Sequence, residues 1–447
     1  MEEQNQLIME LIKDKKYVEL KKILSEMNEV DIAEILDPID PSITMLIFRM
    51  LPKDLAVEVF AHFSIDQQRE IVEGATEKEL KYIMDELFFD DMIDLIEEMP
   101  ANIVNKILIH SKEDERKLIN QFLKYPEDSA GSIMTIEYVE FRKGWTVKEA
   151  LTHIKEIGLT KETIYTCYVT DKNRLLEGFV SLRTLVTSEE NEFIIDIMEE
   201  EVISVNTHDD QETVAQTFTK YGFLAIPVVD NEYRLTGIIT VDDIMDVIEQ
   251  ETTEDFQIMA AMSPSEGEYL DTSVIQLAKN RLPWLLLLMI SGVFTAKIMG
   301  KYENILSSVV MLSAFIPMLM DTGGNSGSQS STLIIRGLAI GEIKLSDGWK
   351  VLWKEFRISF LVGIILAIVN FIRLMTFDRV GLQISLTVSI TLFLTVVMSK
   401  VVGGLLPLMA KKLKLDPAIM AGPLITTIVD GLSLAVYFAL ATKLLGL

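Results

Sequence analysis

One carboxylate stands in the last apolar run of the chain, within Thr426-Thr427-Ile428-Val429-Asp430-Gly431. A charge at the centre of a bilayer costs about 2.5–3.5 kcal/mol on insertion scales, so an acid there points to an ion pathway unless it is hydrogen-bonded into a helix contact. No Lys or Arg lies within one turn of Asp430, and Thr426 sits one turn away on the same face. A second polar island, Pro317-Met318-Leu319-Met320-Asp321-Thr322-Gly323-Gly324-Asn325-Ser326-Gly327-Ser328-Gln329, interrupts another apolar run. From Ile305 to Ala339 that run has 35 residues. As helix it would measure about 52 Å, against a hydrocarbon core of about 30 Å. A break at Pro317 and the glycines is expected, with freed carbonyls open to a cation. A close-packed patch of small residues is the competing reading. Lys400 is a further charge inside an apolar run, and the sequence assigns it neither a partner acid nor an interfacial position.

Carboxylates, hydroxyls and carbonyls suit hard cations such as Mg²⁺, Ca²⁺ or Mn²⁺. Softer centres are excluded. The one cysteine, Cys167, rules out an internal disulfide or thiolate cluster, and His62, His110, His153 and His208 are too scattered for an HExxH centre. Mg²⁺ sheds water reluctantly and is held through one or two carboxylates with waters retained. One Asp430 per subunit suits that chemistry if two subunits bring two such side chains to one axis. No nucleophile–base pair, P-loop or metal-hydrolase spacing marks an enzyme.

Five apolar runs carry these groups: Pro283–Met299, Ile305–Ala339, Ile358–Ile372, Leu382–Ala410 and Ala418–Leu447. Each is read as a transmembrane helix, the third extending toward Phe356 and Leu374. Five spans make a thin pore for one chain, which favours a homodimer in the lipid bilayer. Lys279, Arg281, Arg336, Lys344, Lys350, Lys354, Arg357, Lys411, Lys412 and Lys414 fall on one side. Lys297, Lys301, Arg373, Arg379 and Lys443 fall on the other. The excess of basic residues puts the N-terminus in the cytoplasm and the C-terminus outside a multi-pass cell (plasma or inner) membrane. Residues 1–30 are charged and amphipathic, unlike a cleaved leader.

The 447 residues carry a formal charge of −26, unevenly spread. From Asp271 onward there are 9 acidic and 16 basic residues; the first 270 hold 58 acidic and 25 basic, a net −33. That acidic part disfavours nucleic acid as a partner and favours cations.

Residues 1–130 read as an all-α, superhelical domain of short helices. Leu80, Ile83, Met84 and Leu87 recur at helical spacing, and breaks fall at Asp37-Pro38, Leu51-Pro52 and Met99-Pro100. Asp90, Asp94, Glu97 and Glu98 share one helix face, either a solvated face or a cation site. Residues 131–250 turn α/β and repeat internally. Tyr168-Val169-Thr170-Asp171 through Gly178-Phe179-Val180-Ser181 parallels Val228-Val229-Asp230 through Gly237-Ile238-Ile239-Thr240, with Gly178 and Gly237 59 residues apart. Two copies of this signature resemble a CBS pair, a regulatory module that often reads adenine nucleotides. In that resemblance Thr240 and Asp243 hold the ribose-contacting positions, with ATP a candidate ligand; pure dimerisation is the competing role. Residues 251–280 complete a connecting helix toward the first span. Its acidic stretch begins at Asp242, Asp243 and Asp246 and continues through Glu249, Glu251, Glu254 and Asp255. Residues 281–447 form the five-helix transmembrane domain.

Acidic helical domain, CBS pair, acidic connecting helix and five spans together resemble the MgtE family of magnesium channels over the whole chain. The most specific pieces are Pro317–Gln329, the following Ser330-Ser331-Thr332-Leu333-Ile334-Ile335-Arg336, and Asp430. The resemblance implies a homodimeric Mg²⁺-selective channel in the cell membrane. Asp430 would hold a hydrated Mg²⁺, with Thr426 and the segment at Asp321, Gly324 and Asn325 lining the pore. It also implies regulatory Mg²⁺ at Glu58, Asp90, Asp94, Asp210, Glu212, Asp243, Asp246, Glu251, Glu254, Asp255 and Asp416. Gly222 stands where the family places an acid, and Asp321 and Ser328 stand where Gly and Asn are expected. A transporter for Mn²⁺ or Co²⁺, or a membrane-tethered sensor that conducts nothing, are the alternatives.

Overall fold

The computed structural model describes residues 2–265, 269–270, 272–303 and 309–446. Ile305, at the head of the second apolar run, lies outside the described residues, as do Asp271, Leu447 and the side chains of Glu98 and His110. The chain divides into two compact units, Met1–Val247 and Ile248–Leu447.

The first unit begins with short helices running from Glu2–Lys13 to Glu113–Phe122. Turn and cap chemistry sets their length. Asn28, Asp40, Ser64 and Thr76 each accept a backbone N–H at a helix start, and Thr76 with Glu79 forms a capping box. Pro52 and Pro100 stand at the N-caps of Lys53–Ala61 and Ala101–His110, as the proline breaks predict. Glu2–Lys13 packs on its neighbour Tyr17–Leu24, and from Glu29 onward the packing is staggered. Glu29–Leu36 lies on Lys53–Ala61, Pro41–Phe48 on Ile65–Gly74, Lys53–Ala61 on Glu77–Glu86, and Ile65–Gly74 on Phe89–Glu98. These helices thus bury their apolar stripes against the next but one, around Ile32, Leu36, Ile47, Phe60, Ile71 and Leu80.

The sequence repeat becomes two three-stranded sheets of identical topology. In the first, β1 (Glu140–Phe141) runs parallel to β2 (Thr166–Thr170), which pairs antiparallel with β3 (Leu176–Ser181). In the second, β4 (Val205–Asn206), β5 (Ala225–Val229) and β6 (Leu235–Thr240) repeat that order. The hairpin turns match as well: Asp171 accepts from the Asn173 and Leu175 N–H groups, and Asp230 from those of Glu232 and Arg234. The paired glycines have one cause. A Cβ on Gly178 would sit 2.7 Å from the Glu199 carbonyl oxygen, and one on Gly237 would sit 2.6 Å from that of Thr135. Directly after β6 the chain enters one helix, Val241–Met259.

The second unit holds five long helices among the described residues: Val274–Lys301, Ile316–Ala339, Gly348–Thr376, Leu382–Lys412 and Gly422–Leu445, called first to fifth below. All but the second are long and apolar enough, by length and composition, to cross a membrane. The second has 24 residues, about 36 Å of helix, but is rich in Gly, Ser and amide side chains. The fourth helix is central, packing on the second, third and fifth, while the first leans on the fifth. Leu319, Val388, Leu392, Val396, Leu434, Tyr437 and Phe438 fill the core.

Candidate functional site

The second helix begins in a 3-10 turn, Val310–Phe315, and runs unbroken from Ile316 through Gly323, Gly324 and Gly327 to Ala339. The expected break at the glycines is corrected here: Pro317 stands at the helix start, where its missing N–H costs nothing, and the backbone at Asp321 and Gly324 stays helical. The glycines instead admit neighbouring helices. A Cβ on Gly324 would meet the Thr426 methyl at 2.6 Å, one on Gly323 would meet Thr395 and Val429 at 2.8 Å, and one on Gly327 would meet Ile425 at 2.6 Å. Close packing of small residues, the competing reading, describes this segment.

That packing buries one side of the helix and leaves the other polar and exposed. Asp321, Asn325, Gln329, Thr332 and Arg336 recur at helical spacing on the open side. Beside them, half-buried, lie Thr426 and Asp430 of the fifth helix. The charge acting on Asp430 is that of Asp321. The Thr426 and Thr427 hydroxyls donate to the Pro423 carbonyl at 2.8 and 3.0 Å, so Thr426 offers a lone pair rather than a proton to the open face. Of the residues singled out here from sequence, Asp321, Gly324, Thr426 and Asp430 come together, and Asn325 extends the stripe by one turn.

Lys400 is buried among the helices of the bundle. Its ammonium donates to Gln329 Oε1 at 3.2 Å and to the Ser326 carbonyl at 3.5 Å. Glu355, which the sequence reading missed, is also buried, about two turns inside the third helix, and accepts from Ser330 Oγ at 2.5 Å. Its only sequence signal was an acid bordering an apolar run.

In the first unit, three segments converge on one acidic cluster. The helix Phe89–Glu98 brings Asp90 and Asp91, the loop after Gly158–Thr160 brings Glu162, and the head of the helix Val241–Met259 brings Asp242 and Asp243. Burial, then the charges of Asp243, Asp91 and Glu162, pushes Asp90 up to about 9. Burial with Asp242, Asp243 and Asp91 pushes Glu162 up to about 7. Burial raises Asp243 to about 6, opposed by a 2.5 Å hydrogen bond from Thr240 Oγ1. Asp90 Oδ1 and Glu162 Oε2 are buried and without a hydrogen-bond partner among the described residues. Such oxygens fit a divalent cation, which would supply the missing positive charge.

The remaining predicted ligands are more dispersed. Glu58, Asp94 and Asp246 are exposed on their helices, and Asp210 caps the helix Gln211–Tyr221 by accepting the Glu212 N–H. In the second unit, burial, Asp416 and Glu251 raise Asp255 to about 6, against Arg336. Asp416 also accepts the Ala418 N–H at 2.7 Å. Glu254 is exposed on the same helix, whose Ile258 and Met259 pack on Ile335, Ala418 and Ala421 at the ends of the second and fifth helices. No set of three His, Cys, Asp or Glu side chains closes a complete metal cage among the described residues.

Comparison with known proteins places this geometry in a class of divalent cation transporters. Residues 316–440 match the MgtE divalent cation transporter domain, residues 27–128 the MgtE intracellular N domain, and residues 194–250 a CBS domain. The chain is 34% identical over 431 residues to the magnesium transporter MgtE of Thermus thermophilus, covering 95% of each chain. It is 33% identical over 425 residues to that of Bacillus subtilis, covering 92% of this chain and 93% of the relative. Among solved structures, the soluble part of a magnesium transporter aligns at TM-score 0.52 and 32% identity, over 56% of this chain and 99% of that one. The cytosolic domain of the Mg²⁺ channel MgtE in complex with ATP aligns at 0.51 and 34%, over 54% and 98%. The chain belongs to the MgtE family of magnesium transporters.

Proposed function

We propose that the protein is a homodimeric, Mg²⁺-selective channel for Mg²⁺ uptake, closed when Mg²⁺ binds its acidic cytoplasmic part. One observation carries the reading: the Asp321–Asn325–Gln329 stripe and Asp430 form a polar, doubly acidic face on an otherwise apolar helix bundle. Such a face is not compatible with lipid. Against its copy in a second subunit it would enclose a wet path with two Asp430 carboxylates. Hydrated Mg²⁺ suits that path, since it is bound through few carboxylates and keeps its waters.

Closure follows from charge. The cytoplasmic part carries −33 per chain. Two unit charges at 4 Å interact by about 4 kcal/mol at an effective dielectric near 20. Facing acidic surfaces therefore separate without cations and close around them, a population shift toward the compact state. Asp90 and Asp243 would hold one such ion, with the Glu162 charge nearby, and Asp255 and Asp416 another. Thr240 and Asp243 stand where a nucleotide ribose would be held, and a relative's cytosolic domain is described in complex with ATP. The N-terminus lies in the cytoplasm on this reading.

The test is Mg²⁺ uptake by the full chain in lipid vesicles, wild type against Asp430→Ala. Uptake that survives the substitution unchanged would favour a non-conducting sensor. Limited proteolysis with and without Mg²⁺ tests closure; identical cleavage removes that half of the reading.

A further inference from the structure

The bundle buries a second set of charges that the proposed path does not use. Lys400 is 5% exposed and Glu355 6%. They are linked through neighbouring residues of the second helix: Lys400 donates to Gln329 Oε1, and Ser330 Oγ donates to Glu355. Glu355 also rests on the fourth helix, where a Cβ on Gly404, one turn beyond Lys400, would meet Glu355 Cγ at 3.2 Å. Glu355 is the charged neighbour acting on Lys400. A lysine ammonium has donors only, so its contact turns the Gln329 carbonyl inward and the amide NH₂ away from it. Gln329 itself belongs to the exposed stripe of Asp321 and Asn325.

We propose that Glu355 and Lys400 form a charge-balanced pair that sets the electrostatic level of the cation path at Gln329. A lone ammonium behind the stripe would repel a divalent ion twice as strongly as a monovalent one, and a lone carboxylate would hold the ion in place. Together they cancel at the path, and each relieves the other of an uncompensated buried charge. The proposal rests on reading the stripe as the Mg²⁺ path. It makes both residues positioning residues, neither of which touches the ion.

The experiment measures initial Mg²⁺ uptake against Mg²⁺ concentration for the full-length protein in vesicles. Wild type, Glu355→Gln, Lys400→Met and the double variant are compared, with detergent-state thermal midpoints measured alongside. Half-saturation is expected to rise on the order of tenfold in Glu355→Gln and to fall on the order of tenfold in Lys400→Met. The double variant is expected within about threefold of wild type. Opposite shifts with a restored double variant support the pair. Every other pattern overturns it, including two singles that lose maximal rate and thermal midpoint together, as a purely structural role would produce. Wild-type vesicles that take up no Mg²⁺ overturn the channel reading instead, before any variant is compared.

Discussion

Gly403 and Gly327 bring the fourth and second helices to backbone contact: a Cβ on Gly403 would lie 2.3 Å from the Gly327 carbonyl oxygen. A backbone atom cannot rotate away, so Gly403→Ala must part the helices. We expect a loss of about 1–3 kcal/mol, read as a lower thermal midpoint and a broadened size-exclusion profile. Gly144→Ala is the control, since a Cβ there meets nothing within 4 Å; its effect should stay within about 0.5 kcal/mol.

Asp430 and Asp321 test the path itself. Asp430→Ala should lower Mg²⁺ uptake on the order of tenfold or more, and Asp321→Asn should lower it less, because the Asp430 carboxylate then remains and the asparagine still offers a carbonyl oxygen to the path. Fluorescent Mg²⁺ indicators inside vesicles provide the measurement. Equal uptake by all three proteins would refute the assignment.

The acidic cluster predicts a pH dependence with a definite sign. Asp90, Glu162 and Asp243 are held at about 9, 7 and 6, above their ordinary values near 4. The folded arrangement therefore binds protons more tightly than the unfolded chain. Its stabilisation is fully present below about pH 4 and is lost as pH rises through about 9. In chelator, protease resistance of residues 1–247 should fall from pH 5 to pH 9. Millimolar Mg²⁺ at pH 8 should restore it, replacing protons as the counter-charge.

Asp255 and Asp416 predict the same exchange at the other end of the helix Val241–Met259. Burial, and then the charge of Asp416, lifts Asp255 to about 6. Asp416→Asn should slow amide exchange in that helix without Mg²⁺ and should raise the Mg²⁺ needed for further protection several-fold. Hydrogen-exchange mass spectrometry reads both effects; unchanged exchange at both Mg²⁺ levels would remove Asp416 from the site.

Much of this was legible in the amino-acid order, because it rests on short-range rules. Apolar runs announce membrane-type helices, Asp and Pro set the short N-terminal helices, and the repeated Asp-turn and glycine announce twin sheets. Asp430 stood out because one charge in an apolar run is costly wherever the run packs. Tertiary structure decided what depends on distant neighbours. Whether Gly324 breaks a helix or admits Thr426 turns on a residue a hundred positions away. The company kept by Lys400 and Glu355, and the meeting of Asp90 with Glu162 and Asp243, likewise arise only when separate segments pack, since burial and Coulomb forces act across space and leave no periodicity in the chain.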